Sequence, residues 1–295
     1  MITVMGATGT IGRQITRQLL AAGEQVRALG RNPERLAEAA AAGAETMAGD
    51  AGDAAFLTEA FHGAAAVHTF LPYDPTVPGY LAEQDRLGES IVAAVGGSGV
   101  RHVVAISSVG ADVPAGTGFI TSLHAQEQRL RRLHHAHVLV LRPGFFFENF
   151  AAVADVAARY GVYADAVAPD VPLPMIATRD IADVAARALT TRDWSGFTVR
   201  ELLGPRDLTH AEATGILGAA MGHPDLAYVR LPDPEMIETL VGAGFTEEAA
   251  VLHVELGGAL SDGTIASREG RTASNTTPTR LDAIAGALVP GHQRA

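Results

Sequence analysis

Gly6, Gly9 and Gly12 stand three residues apart, directly after the apolar run Ile2-Thr3-Val4-Met5 and at the start of an amphipathic stretch. That spacing suits a strand that turns sharply into a helix. The first glycine permits the turn, the second lets the backbone approach a phosphate, and the third lets the helix lie close to the sheet. The N–H groups at the helix start and the positive end of its dipole then form a cradle for a pyrophosphate. Thr8, Thr10 and Ile11 fill the intervening positions.

A second signal follows in Leu29-Gly30-Arg31-Asn32. No acid stands there to take a ribose 2′-hydroxyl. Arg31 is placed to pair with a 2′-phosphate, with Asn32 as a neighbouring donor, which favours NADP over NAD; a solvated loop arginine is the other reading. Proton-transfer groups are fewer. The chain contains no lysine and no cysteine, so ammonium and thiolate chemistry are both excluded. His124 is able to donate near neutral pH or to pack beneath a ligand. Ser107-Ser108 either bond a substrate carbonyl or satisfy strand-end backbone groups. Tyr73, on the loop Pro72-Tyr73-Asp74-Pro75-Thr76-Val77-Pro78, is a substitute acid on a candidate cleft wall.

These groups need a scaffold, and the first half supplies alternating β-branched runs and amphipathic stretches. Strands are expected at 2–5, 26–29, 45–48, 65–70, 103–106 and 138–141. Helices are expected at 9–22, from Pro33, and over 53–61, 79–96 and 120–133. Right-handed crossovers make this a doubly wound parallel sheet, an α/β Rossmann domain over residues 1–150. Residues 151–295 form a smaller C-terminal substrate lobe interwoven with late sheet strands. There a strand is expected over 197–202 and helices over 209–221, 233–242 and 246–256.

The 295 residues are 47% hydrophobic and 19% charged, with net charge −11 and no long basic run, which excludes a nucleic-acid surface. No apolar run reaches the roughly 20 residues of a membrane helix, and no signal peptide is legible, so a cytoplasmic protein without a membrane partner is expected. His134-His135-x-His137 sits at a turn where side chains diverge, so no metal site is expected. Phe145, Phe146, Phe147, Phe150, Tyr160 and Tyr163 cluster in a chain only 5% aromatic, as a flat apolar pocket or as core packing.

The glycine turn, Gly30-Arg31-Asn32, Gly49-Asp50, Ser107-Ser108 and Leu141-Arg142-Pro143-Gly144-Phe145-Phe146-x-Glu148-Asn149 together resemble the NmrA-like branch of the atypical short-chain dehydrogenases/reductases. Asp180-Ile181-Ala182 and Leu203-Gly204-Pro205-x-x-Leu208-Thr209 match its later landmarks, and the resemblance weakens beyond residue 212. It implies a Rossmann fold with the substrate cleft between domain and lobe. It further implies Asp50 at the adenine, Thr69, Phe70 and Leu71 along the cofactor, and Pro143, Gly144 and Phe145 flanking the nicotinamide; Ser107 is a further candidate for cofactor binding and catalysis. Ser108, Tyr73, Phe146 and Asn149 then face the substrate. The superfamily's usual Tyr-x-x-x-Lys is absent, and His124 stands where quinone reductases of this family often carry a histidine; Leu123 stands where some relatives have a lysine. The expected activity is NADPH-dependent reduction of a small apolar or aromatic quinone or conjugated cyclic carbonyl. A non-catalytic NADP(H) sensor that binds a partner protein is the alternative, and an isomerase or epimerase a third. A homodimer is compatible with either main reading.

Overall fold

The computed structural model describes residues 1–152, 156–157 and 161–289. In chain order the first strands are β1 (Ile2–Val4), β2 (Val26–Gly30), β3 (Glu45–Ala48), β4 (Ala66–Thr69), β5 (His102–Ile106) and β6 (His137–Pro143). The later ones are β7 (Phe145–Phe146), β8 (Val162–Asp165), β9 (Leu173–Ile176), β10 (Phe197–Leu202), β11 (Asp207–Leu208) and β12 (Ala227–Arg230). The main sheet has seven strands in the order β3-β2-β1-β4-β5-β6-β10. Every pairing in it is parallel. The order reverses between β1 and β4, which opens a crevice at the carboxyl ends of those strands.

A parallel sheet must be covered on both faces, and the strand alternation shows how. Val104, Leu139 and Leu141 face Ile15 and Leu19 of α1 (Thr10–Ala21). The same layer takes Ile181, Ala185 and Leu189 of a helix at Thr178–Thr191. Their neighbours Val103, Ala105, Val138 and Val140 point the other way. They pack on Leu57 and Phe61 of Ala54–Phe61, Leu87 and Ile91 of Tyr80–Ser98, and Leu130 of Ile120–Arg131. With the short helix Ala37–Ala41 as α2, these three are α3, α4 and α5, and Thr178–Thr191 is α6.

The remaining helices are α7 (His210–Met221), α8 (Asp233–Gly242), α9 (Glu247–Ser261) and α10 (Leu281–Leu288). Two small sheets accompany them, β11-β9-β7 and β12-β8. A separate core of Phe147, Phe150, Tyr163, Leu173, Met175, Leu217 and Leu281 lies beneath. Through β10 and α6, residues beyond 150 complete the main sheet and cover one of its faces.

Several elements differ from the sequence reading. Helix α6 is marked in the sequence only by Asp180-Ile181-Ala182. Its first turn is held by Glu148, thirty residues earlier, whose carboxylate accepts from Thr178 N (3.0 Å) and Thr178 Oγ1 (2.6 Å). A cap supplied from so far away leaves no local signature. Helix α9 runs past 256 to Ser261, through Gly257-Gly258. A Cβ on Gly257 would fall 2.5 Å from Ala166 Cβ, so this glycine permits close packing and does not mark a stop. Strands β8, β9 and β12 and helix α10 are additional elements, β8 and β12 pairing only with each other.

Candidate active-site cleft

Helix α1 begins at Gly9, whose backbone is extended (φ −88°, ψ 173°), and no side chain caps its first turn. A Cβ on Gly12 would lie 2.3 Å from the Gly6 carbonyl, so the turn itself demands glycine there. A Cβ on Gly9 would meet only that same oxygen, at 3.4 Å. The protein therefore tolerates a side chain at Gly9, and what the glycine preserves is access to the uncapped helix start. Thr8 and Ile11 are half-buried beside it and Thr10 is exposed. This arrangement fits a pyrophosphate, held by backbone N–H groups and the helix dipole.

Around that cradle lie the other strand ends. Arg31 and Asn32 are exposed beyond β2. Asn32 Oδ1 accepts from Glu34 N (2.8 Å), starting the 3-10 turn Glu34–Leu36, which leaves donation to its NH2 group. Asp50 follows β3 and accepts from Gly52 N (2.9 Å), with Arg86 Nη2 3.6 Å away. Thr69 and Leu71 are buried at the end of β4, and between them Phe70 lies over Gly6, its ring 6.0 Å from that of His68.

At the opposite end, β5 and β6 deliver Ser107 and Pro143-Gly144-Phe145. Ser107 N bonds the Leu141 carbonyl (2.8 Å), and Gly144 N bonds Leu202 O (3.0 Å), tying the two turns to the sheet. The Ser107 hydroxyl donates to Glu127 Oε1 (2.6 Å). Glu127 also takes a two-pronged bond from Arg142, Nε to Oε1 at 2.8 Å and Nη2 to Oε2 at 2.6 Å. Burial works against the Arg142 charge, but Glu127, Asp112 and Glu201 more than offset it and raise its pKa. Ser108 directs its proton at the Val109 carbonyl (2.9 Å).

His124 on α5 is half-buried, its Nδ1 2.9 Å from the Ala111 carbonyl. A carbonyl only accepts, so Nδ1 carries the proton and Nε2 donates only when the ring is an imidazolium. Tyr73 is exposed, its ring edge-on to Phe119 (5.1 Å) and near Tyr80 (6.1 Å). Its loop is pinned to the lobe: Thr246 N bonds Pro75 O (3.0 Å), and Glu248 accepts from Tyr80 N (2.8 Å) and Leu81 N (3.2 Å). Partial burial, then Asp165 and Asp74, push the Tyr73 phenol up to about 12.

The aromatic segment divides. Phe147 and Phe150 are wholly buried in the core, Phe145 and Phe146 are half-buried, and Asn149 is exposed. Tyr160 lies outside the described residues. Behind Phe145 sits a histidine the sequence reading did not single out. His210, fully buried among Phe145 (5.1 Å), Phe150 (5.3 Å) and Tyr228 (5.4 Å), has no hydrogen-bond partner for either ring nitrogen among the described residues. Burial pushes its pKa down to about 4, so the ring is neutral. Equally unforeseen is the pair of Asp165 and His253, Oδ1 to Nε2 2.6 Å. Despite burial, His253 keeps the Asp165 carboxyl below its usual range. Glu127 had one faint signal: it stands three residues after His124 on one helix, and a buried Arg142 needs an acid. No group of histidines and carboxylates among the described residues is arranged to hold a metal. His137 Nδ1 instead accepts from Gly196 N (3.0 Å).

The sequence profile of the NmrA-like family matches residues 1–282. The chain belongs to the NmrA-like family. It is 34% identical over 224 residues to a (4-alkanoyl-5-oxo-2,5-dihydrofuran-3-yl)methyl phosphate reductase of Streptomyces griseus, covering 76% of this chain and 75% of that one. An NAD(P)H azoreductase of Xenophilus azovorans is 30% identical, covering 85% and 84%. Quinone oxidoreductase 2 of Escherichia coli is 28% identical, again covering 85% and 84%. The fold of this NmrA-like chain matches that of the E. coli enzyme QOR2, crystallised with NADPH, with a TM-score of 0.82 at 23% identity over 98% of this chain and 99% of the other. With these relatives and its own uncapped cradle, the chain is an NAD(P)H-dependent oxidoreductase. No helix among the described residues is long and apolar enough to cross a membrane.

Proposed function

We propose that the protein uses NADPH to reduce a quinone or a conjugated cyclic carbonyl. The observation that carries this reading is the scarcity of acids at the reactive end. The protons of Ser107 and Ser108 are directed into the protein, the raised pKa of Tyr73 makes it a weak acid, and lysine is absent. An imidazolium at His124 is the stronger donor among these groups. A site so weak in acids suits an acceptor whose developing oxyanion is delocalised over a ring, and a quinone is such an acceptor.

When bound, the dihydronicotinamide supplies the hydride. The chain's own residues supply the rest. Gly6, Thr8, Gly9, Thr10, Ile11 and Gly12 hold the pyrophosphate, and Arg31 with Asn32 takes the 2′-phosphate. Asp50 meets the adenine, and Thr69, Phe70 and Leu71 line the path to Ser107, Pro143, Gly144 and Phe145. Tyr73, Ser108, Phe146 and Asn149 border the substrate. His124 gives one proton to the substrate oxygen for each hydride received. The Streptomyces griseus reductase is named for a five-membered oxo ring and the Escherichia coli enzyme for quinones, which supports a flat conjugated acceptor.

The test is NADPH and NADH oxidation followed against para-quinones and cyclic enones. Sustained turnover with the ring acceptors, and a preference for NADPH, is the expected result. Tight NADPH binding with no oxidation by any acceptor would instead make the protein a cofactor sensor.

A further inference from the structure

We infer that Glu127 is a positioning residue that fixes Ser107 as a pure hydrogen-bond acceptor, so that the nicotinamide subsite selects for a donor, the carboxamide NH2. The inference rests on the reading above, in which the nicotinamide lies at Ser107.

The argument is one of counting protons. A serine hydroxyl has one proton and two lone pairs. Glu127 is almost completely buried, and both its oxygens receive N–H groups from Arg142, whose guanidinium stays charged at any pH the fold survives. So paired, Glu127 is a carboxylate and accepts only. The 2.6 Å bond from Ser107 Oγ to Glu127 Oε1 therefore runs in one direction, and the serine's single proton points away from the cleft. What Ser107 offers is lone pairs, and it lines one small cavity with Thr69, Phe70 and Leu71 at the end of β4. Arg142 is braced in turn, with Nη1 3.6 Å from Asp112 Oδ1, while Asp112 Oδ2 accepts from Arg268 Nε at 2.7 Å. The pair is thus locked from the β6 side and from the 265–270 loop. Turning the Ser107 proton outward would take from buried Glu127 Oε1 one of its two donors and leave it Arg142 Nε alone.

The consequence is a polarity rule for the cofactor. A nicotinamide carboxamide presents an NH2 to Ser107, and a ring carrying an acetyl group in its place presents a methyl. The two dinucleotides are otherwise the same shape, so comparing them isolates one hydrogen bond.

The experiment measures binding, by calorimetric titration, of NADP+ and of the oxidised 3-acetylpyridine analogue to the wild type and two variants. The wild type should bind NADP+ about fivefold to tenfold more tightly than the analogue, the worth of one neutral hydrogen bond. Ser107→Ala removes the acceptor and should bring that ratio to about one. In the double variant Glu127→Leu/Arg142→Leu both charges leave together, so neither is stranded in the interior. Ser107 then turns freely, donating to the acetyl carbonyl or accepting from the amide, and the ratio should also collapse. General loosening of the site weakens both ligands alike and leaves the ratio unmoved. A wild-type ratio of one, or an unchanged ratio in a folded variant, overturns the inference while the cofactor reading stands. If the double variant does not fold, Ser107→Ala alone decides. If neither dinucleotide binds the wild type, the cofactor reading fails and takes this inference with it.

Discussion

At the proposed phosphate end of the cleft the parts are backbone: the uncapped start of α1, the turn that Gly12 permits and the space kept open at Gly9, all within seven residues of sequence. At the proposed reactive end they are side chains: the Ser107–Glu127–Arg142 chain from β5, α5 and β6, His210 of α7 against Phe145, and Asp165 of β8, paired with His253 of α9, acting on Tyr73. The first end depends on one local conformation and survives changes elsewhere. The second is assembled from bonded partners 15 to 88 residues apart, so its chemistry depends on how those segments pack together.

That contrast is sharpest at His124. If the proton comes from its imidazolium, His124→Ala should lower turnover by about 10²–10⁴-fold, the range for a lost general acid. Because Nδ1 is committed to the Ala111 carbonyl, donation requires the doubly protonated ring. Near-normal turnover in His124→Ala would move the donor elsewhere in the cleft.

At the other end, Gly9→Val should cut NADPH affinity by about a hundredfold or more while the melting temperature stays near the wild-type value. Valine is at ease in the extended conformation Gly9 adopts, and its Cβ meets no protein atom closer than 3.4 Å. Unfolding of the variant would mean that Gly9 serves the fold, and the backbone account of this end would break. A folded variant that still binds NADPH would break it too.

Arg31→Ala tests the charged side chain proposed, with Asn32, for the 2′-phosphate. Losing a charge-assisted bond costs about 1–3 kcal/mol, so NADPH binding should weaken by roughly fivefold to 150-fold with NADH almost unchanged. Equal losses for the two cofactors would remove Arg31 from the 2′-phosphate. Arg31 also helps hold the Asp74 carboxyl below its usual range, after two hydrogen bonds from Thr76. The variant should therefore leave Asp74 largely as it was.

The same division explains what the sequence made legible. The strands of the main sheet and the glycine turn follow from short periodic runs, because β-branched alternation and glycine spacing are local signals. Ser107 and Phe145 were marked by strand-end motifs. Glu127, Asp165 and His253 were not, since each gains its meaning from a partner 15 to 88 residues along the chain, and His210 was not, since only the fold buries it among Phe145, Phe150 and Tyr228. Helix α6 shows this for structure as well as chemistry: its cap at Thr178 comes from Glu148, and Thr279 bonds its buried Asp180. Gly257 lies just past the expected helix end at 256 and inside the observed helix, where it packs against Ala166.

Tyr73 should give the smallest effect, and it is the residue on which the two ends meet. Its loop leaves the Rossmann sheet after β4 but is pinned to α9 of the lobe, so Asp165 reaches it electrostatically. Partial burial comes first, then Asp165 and Asp74, and each disfavours the phenolate; the phenol rises from 10.0 to about 12. An acid with a raised pKa stays protonated below that value, so Tyr73 is uniformly neutral between about pH 6 and pH 9 and adds no limb to the activity profile. A weaker acid is also a poorer donor to a substrate oxygen. Tyr73→Phe keeps the edge contact with Phe119 and removes only the hydroxyl. Turnover should stay within about threefold of wild type, with the pH profile unchanged. Tyr73→Ala also deletes the ring and should act mainly on KM, through the lost cleft wall. A Tyr73→Phe variant that lost turnover by more than about tenfold would reverse the assignment. The acid would then sit on the loop pinned to the lobe, and His124 would be left to shape the pocket.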